Sequence, residues 1–126
     1  MRRPPRPDGE RRAHAERHGR RAELWAAWLL RLKGYRILAR RWRGRSGEID
    51  LVARRGGTLA IVEVKMRQDR ERAALAATGR GPGRIGRAAA EYLAGRPDLR
   101  LLDVRFDLVL ASPGRWPRHL PDAWRP

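Results

Sequence analysis

A chain of 126 residues holds one domain with a modest core, and its lack of cysteine excludes a disulfide framework and thiolate metal sites. Its longest apolar run, "LWAAWLL" from Leu24 to Leu30, is far too short to span a bilayer. The formal charge of +16 attracts polyanions, nucleic acid above all, although only Lys33 and Lys65 among the 30 basic residues are lysine, and a GC-rich genome inflates arginine everywhere.

Residues 1–18 are rich in proline, arginine and small polar residues, so the sequence predicts a loose basic tail ahead of a domain spanning 19–126. The opening "MRRPPRPDGERR" lacks the apolar segment of a secretory signal, and the chain is read as soluble and cytoplasmic, with no membrane partner. From about Gly19, "RRAELWAAWLLRLKG" places Leu24, Trp28 and Leu32, with Trp25 and Leu29, along one side of a helix that Gly34 ends. Glu23 is expected in its first turn, where the helix dipole stabilises a carboxylate. "YRILARRW" alternates Tyr35, Ile37 and Ala39 against Arg36, Leu38 and Arg40, as in a half-buried strand.

"GEIDLVARRGGTLAIVEVKMR", residues 47–67, reads as two strands joined at Gly56–Gly57, which suits a type I′ turn with positive φ at both central positions. That turn places Asp50 opposite Glu63, Glu48 opposite Lys65, and Val52 opposite Ile61. Residues 68–83 read as a mobile loop, whose "GRGPGR" lacks the lysine and the serine or threonine of a phosphate-binding P-loop. A helix is predicted from about Arg84 to Ala94, then one long strand or two in "LRLLDVRFDLVLAS", with Val104, Phe106, Leu108 and Leu110 on one face. The remainder, "PGRWPRHLPDAWRP", is interrupted by proline. Helix, three strands, helix and strand in this order predict an α/β sandwich around a mixed sheet.

Three carboxylates, Glu48, Asp50 and Glu63, would share one face of the hairpin with a single lysine, and opposed like charges destabilise a strand pair. A divalent cation relieves such a face, since Mg²⁺ takes oxygen ligands from one or two carboxylates, water and substrate phosphate; an arginine from the surplus is the alternative. Lys65 is notable where nearly every other basic position is arginine, because a compact ammonium fits beside a scissile phosphate where the guanidinium fork is bulkier.

Asp50, followed on the neighbouring strand by Glu63-Val64-Lys65, is the arrangement of the PD-(D/E)xK nucleases. With "GRRAELWAAWLL", "RSGEIDLVAR", "AIVEVKMR", "RIGRAAAEYL" and "VRFDLVLAS" in order, the chain resembles the YraN family of small bacterial proteins, similar to Holliday-junction resolvases, from about Gly19 to Trp124. The resemblance implies a restriction-endonuclease-like core, a mixed β-sheet flanked by helices, and metal-dependent hydrolysis of DNA, including branched or damaged DNA. It makes Glu23, Asp50, Glu63 and Lys65 catalytic, with Asp50, Glu63 and the carbonyl of Val64 holding Mg²⁺, for which Mn²⁺ would substitute. Arg40, Arg41, Arg43, Arg45, Arg67, Arg80 and Arg84 would grip phosphates without reading sequence. Trp42 would stack on a base or pack into the core. One departure is Gly81, which stands where relatives often carry a basic residue, with Arg80 or Arg84 as the substitutes. A nucleic-acid-binding protein without turnover and a basic assembly factor are the competing readings, and homodimerisation stays open.

Overall fold

The computed structural model describes the backbone of residues 7–66, 81–112 and 114–125, and the side chains of residues 20–66, 83–112 and 114–125. Two helices, α1 (Pro7–Leu32) and α2 (Gly81–Ala94), flank a sheet of five strands, β1 (Arg36–Gly44), β2 (Gly47–Arg55), β3 (Thr58–Met66), β4 (Asp103–Ser112) and β5 (Arg115–Leu120), and a 3₁₀ turn covers Pro97–Leu99. The strands lie in chain order across the sheet. Pairing is antiparallel except between β3 and β4, which run parallel because α2 intervenes.

The fold is thus the α/β architecture expected from the sequence, with a mixed sheet between two helical layers. Alternate residues of β2 and β3 serve the two sides. Leu51, Ala53, Ala60 and Val62 pack with Ala26, Ala27 and Leu30 of α1, whereas Val52, Leu59 and Ile61 pack with Ile85, Ala88, Ala89 and Tyr92 of α2. No helix among the described residues is long and apolar enough to cross a membrane.

Helix α1 begins at Pro7, well before the point at which an apolar stripe appears in the sequence. Proline is favoured in a first turn, and the alanine, glutamate and arginine that follow are strong helix formers, so the backbone is helical where the sequence predicts a tail. Residues 1–6 lie outside the described residues. The helix ends as expected at Gly34, whose φ of 92° is a left-handed conformation that glycine adopts freely. Tyr35 N–H reaches Leu30 O at 2.9 Å and Gly34 N–H reaches Arg31 O at 3.0 Å, which together form a Schellman motif.

The packed face of α1 differs from the expected one. Ala22, Ala26, Ala27 and Leu30 are buried, whereas Leu24, Trp25, Trp28 and Leu32 are 47, 56, 56 and 69% exposed. Small side chains let the helix backbone lie close on the sheet, so the bulkier residues that dominate a hydrophobicity count are turned outward.

In β1 the strict alternation fails, because the register shifts between Ile37 and Ala39 and leaves Leu38 as the extra residue of a bulge. Ile37 then packs on the α1 side, and Leu38, Ala39 and Trp42 on the α2 side. The β2–β3 hairpin has the expected register, with Val52 opposite Ile61 and Arg55 opposite Thr58. Its turn is not type I′. Only Gly56 of the two central residues has positive φ, at 59°, as in a type II′ turn, which holds the same two-residue register.

Residues 103–112 form one strand, and the proline-interrupted segment that follows supplies β5. That strand is at the sheet edge, and Pro117 falls where its pairing with β4 is irregular, the two settings in which a strand tolerates proline.

Candidate active site

Beyond Leu51 and Val62 the ladder between β2 and β3 stops. Asp50 stands at the point of parting and accepts a hydrogen bond at Oδ2 from Val64 N–H, at 2.8 Å. The backbone twists here. Ile49 packs with α2 and Leu51 with α1, although simple alternation would put both on one side, and Arg41 on the facing strand has a φ of 51°. This irregularity aims the Asp50 carboxylate into the gap between the strands.

Burial is the main influence on Asp50 and pushes its carboxyl up to about 7; the Val64 N–H opposes this, Glu23 and Glu63 add to it, and Lys65 opposes it. Glu23 of α1, Asp50 of β2 and the Glu63–Lys65 pair of β3 are therefore within electrostatic reach of one another. Lys65 Nζ lies 3.0 Å from Glu63 Oε1. All four residues that the sequence singles out for chemistry are brought together.

Their pairing departs from the expected one: the ladder ends before Asp50 and Glu63 would stand opposite each other, and Asp50 instead bonds Val64 N–H. Glu48 does not face Lys65 but sits 3.9 Å from Arg41 Nε and 3.6 Å from Arg43 Nε, so for this acid the surplus arginine is the answer. Glu23 is not in a first turn, because α1 begins much earlier. Its carboxyl is raised by burial, lowered by Arg41 at 3.5 Å, and raised again by Glu48.

The arginines divide. Arg40, Arg43, Arg45 and Arg84 are exposed, and Arg41 is half-buried. Arg41 and Arg43 are engaged by Glu23 and Glu48, while Arg67 and Arg80 lie outside the described residues. The turn carrying Arg45 is fastened to α2: Arg45 N–H and Ser46 N–H donate to the two oxygens of Glu91 at 2.8 and 3.0 Å. A side chain at Gly44 would press on the Glu91 carboxylate and the Trp42 ring, so it would displace the group that fastens this turn. Trp42 packs edge-to-face on Tyr92 with ring centroids 5.5 Å apart, a core role.

A second charged centre is absent from the sequence reading. Asp107 on β4 is fully buried, gripped by Arg105 through Nε and Nη2 at 2.7 Å each, by His119 Nε2 at 2.7 Å and by Asp122 N–H at 3.0 Å. Arg105 also donates to the Tyr35 hydroxyl, and Lys33 Nζ meets His119 Nδ1. Burial would raise the Asp107 carboxyl, but these donors prevail and hold it well below the usual range. The signal in the sequence was one acid inside an apolar strand, with Arg105 two residues earlier on the same face.

Two carboxylates and a backbone carbonyl suit a hard cation that keeps part of its water shell. Among the described residues no group of three or more His, Asp or Glu side chains forms a ready-made metal cage. Asp50, Glu63 and the carbonyl of Val64 are oxygen donors on these two strands, and burial raises the Asp50 carboxyl.

The mixed sheet between helices, with an aspartate where two strands part and Glu-x-Lys on the neighbouring strand, is an α/β fold consistent with a restriction-endonuclease-like core. The chain belongs to the YraN family: residues 22–111 match Uncharacterised protein family UPF0102. It is 57% identical over 112 residues to a UPF0102 protein of Parvibaculum lavamentivorans, covering 89% of this chain and 84% of that protein. It is 54% identical over 120 residues to one of Paramagnetospirillum magneticum (90 and 93% covered) and 50% identical over 119 residues to one of Rhizobium meliloti (94 and 97% covered).

Proposed function

We propose that the protein is a cytoplasmic, Mg²⁺-dependent DNA endonuclease that hydrolyses phosphodiester bonds. The observation that carries this reading is Asp50, a half-buried carboxylate between parting strands, beside the Glu63–Lys65 pair in a chain of net charge +16. Burying an acid among acids is unfavourable for a structural role and is what cation binding needs.

Asp50 Oδ1, Glu63 and the Val64 carbonyl would hold the ion, with Val64 N–H fixing the orientation of Asp50 through Oδ2. Bound Mg²⁺ supplies the charge that polarises a phosphodiester and acidifies an attacking water. Lys65 presents its ammonium to the charge that develops on the phosphate, a task for a compact donor rather than a fork. Glu23, held by Arg41, borders the same space from the helix side. Exposed Arg40 and Arg84 contact the backbone of the substrate without reading its bases.

The test is cleavage of branched, flapped, single-stranded and linear DNA with Mg²⁺ or Mn²⁺. Wild type should cut at least one of them. Glu63→Gln should abolish cutting while keeping DNA binding in EDTA, and Lys65→Arg, despite its retained charge, should lose most of the activity. Binding without metal-dependent cutting by wild type would leave a nucleic-acid-binding protein on a nuclease fold.

A further inference from the structure

The outward face of α1 forms, with β5, a groove unlike the rest of this arginine-rich surface. Leu24, Trp25, Trp28 and Leu32 line one part of it with Trp116, in a cavity of about 420 Å³. A second cavity of about 550 Å³ shares Trp25 and Trp116 and continues to Met66 and Ala111, at the ends of β3 and β4. Met66 directly follows Lys65 at the end of β3, and Ala22 directly precedes Glu23 on α1, so the groove reaches the same end of the sheet as the candidate active site. Alternation along β3 turns Met66 toward α1 and Lys65 to the opposite face. Trp25 and Trp116 meet edge-to-face at 6.2 Å, and Arg31 lies over the Trp28 ring at 5.8 Å. Arg21 borders both cavities and Arg115 the second, and among the described residues neither is lined by an acid.

The geometry points to this groove as a binding track for a single-stranded segment of DNA that enters or leaves the active site. The inference rests on the endonuclease reading for its partner and deepens it by naming the substrate class. Exposed indole rings interleaved with arginines serve unpaired bases and their phosphates, since every base has a face to stack and every linkage a charge to neutralise. Duplex DNA buries its bases and would set a wall of phosphates against an apolar floor. A second copy of the chain is opposed by charge, because a two-fold contact would bring the Arg21 and Arg31 rims of two highly basic molecules together. From Arg21 to Leu32 the helix advances about 16 Å, enough for a short run of nucleotides.

The full-length protein is titrated in EDTA, at fixed salt, into a labelled thymidine homopolymer and into a duplex of equal length, followed by anisotropy and by quenching of tryptophan fluorescence. Trp25→Ala and Trp28→Ala should each weaken single-strand binding about 5- to 100-fold and change duplex binding less than about 2-fold, and Trp25→Phe should retain most of the affinity. Because these side chains are more than half exposed, folding should survive, and circular dichroism checks it. Unchanged single-strand affinity, or equal losses on both DNAs, overturns the inference. So does concentration-dependent dimerisation or binding to anionic vesicles that Trp28→Ala removes, or a preference for a uridine homopolymer. Cleavage by wild type separates the two proposals: failure to cut, with tryptophan-dependent single-strand binding intact, removes the nuclease alone, and metal-dependent cutting with no tryptophan effect removes the groove alone.

Discussion

Two aspartates, the buried Asp107 and the half-buried Asp50, have opposite effects on stability as pH changes, and the difference lies in what each one touches. Asp107 meets Arg105, His119 and a backbone N–H, and its carboxyl is lowered; Asp50 meets one N–H and two neighbouring acids, and its carboxyl is raised to about 7. A lowered carboxyl contributes stability above its unfolded value, near pH 4, which is lost as pH falls further. A raised one does the reverse: the folded state is favoured while Asp50 is protonated, and that contribution is lost as pH rises from about 4 through 7. Metal-free protein should therefore melt at a lower temperature at pH 8 than at pH 6. Asp50→Asn keeps an acceptor for Val64 N–H and removes the charge. It should raise the melting temperature at pH 8 in EDTA, with a stability gain of at most a few kcal/mol, and flatten the pH dependence between those values. In wild type, Mg²⁺ at ten times its dissociation constant should add about 1.4 kcal/mol, or on the order of 5 °C, at matched ionic strength. A variant that melts lower than wild type in EDTA and still responds fully to Mg²⁺ would make Asp50 a structural acid.

At the scale of elements, the Asp107 centre is a clasp. It joins β4 to β5 and to the segment after it, and through Tyr35 and Lys33 it reaches the end of α1. Removing one partner of a buried ion pair costs about 3–5 kcal/mol, because the other charge stays buried. Asp107→Asn should accordingly lower stability by about that much, and hydrogen exchange should show β5 opening ahead of β2 and β3. Loss confined to global unfolding, with β5 as protected as β3, would show that the clasp does not hold the edge strand. This centre escaped the sequence reading because its members are spread between residues 33 and 122 and only the fold assembles them. By contrast, the hairpin register was legible: paired glycines and alternating apolar residues leave few ways to pair β2 with β3. The turn type was not, since types I′ and II′ hold the same register. Nor was the packed face of α1, because "LWAAWLL" offers both an alanine stripe and a tryptophan–leucine stripe, and the choice depends on how closely the sheet approaches. Asp50, Glu63 and Lys65 could be placed near one another because the hairpin joins their strands, but the parting of the ladder after Leu51 and Val62, which sets their actual contacts, left no mark in the sequence.

For the whole molecule, the net charge of +16 should produce two salt effects of opposite sign. Added salt screens the repulsion among the arginines of the folded chain, so the metal-free melting temperature should rise with ionic strength. The same salt removes the gain from counterions released when arginines contact phosphates, so DNA affinity should fall. With about six phosphate contacts or more, the fall is on the order of a thousandfold or greater between about 50 and 200 mM salt. The arginines should not contribute equally. Arg40 and Arg84 are exposed, and replacing either by glutamine should reduce the slope of log affinity against log salt by about one. Arg43 is held 3.6 Å from Glu48, so Arg43→Gln also releases a carboxylate toward the DNA and should weaken binding at every salt concentration by more than its change in slope accounts for. Affinities measured for the three variants across a salt series on one duplex decide the matter. A shallow wild-type slope, with all three variants parallel to it, would mean that the positive field of this chain serves something other than phosphate binding.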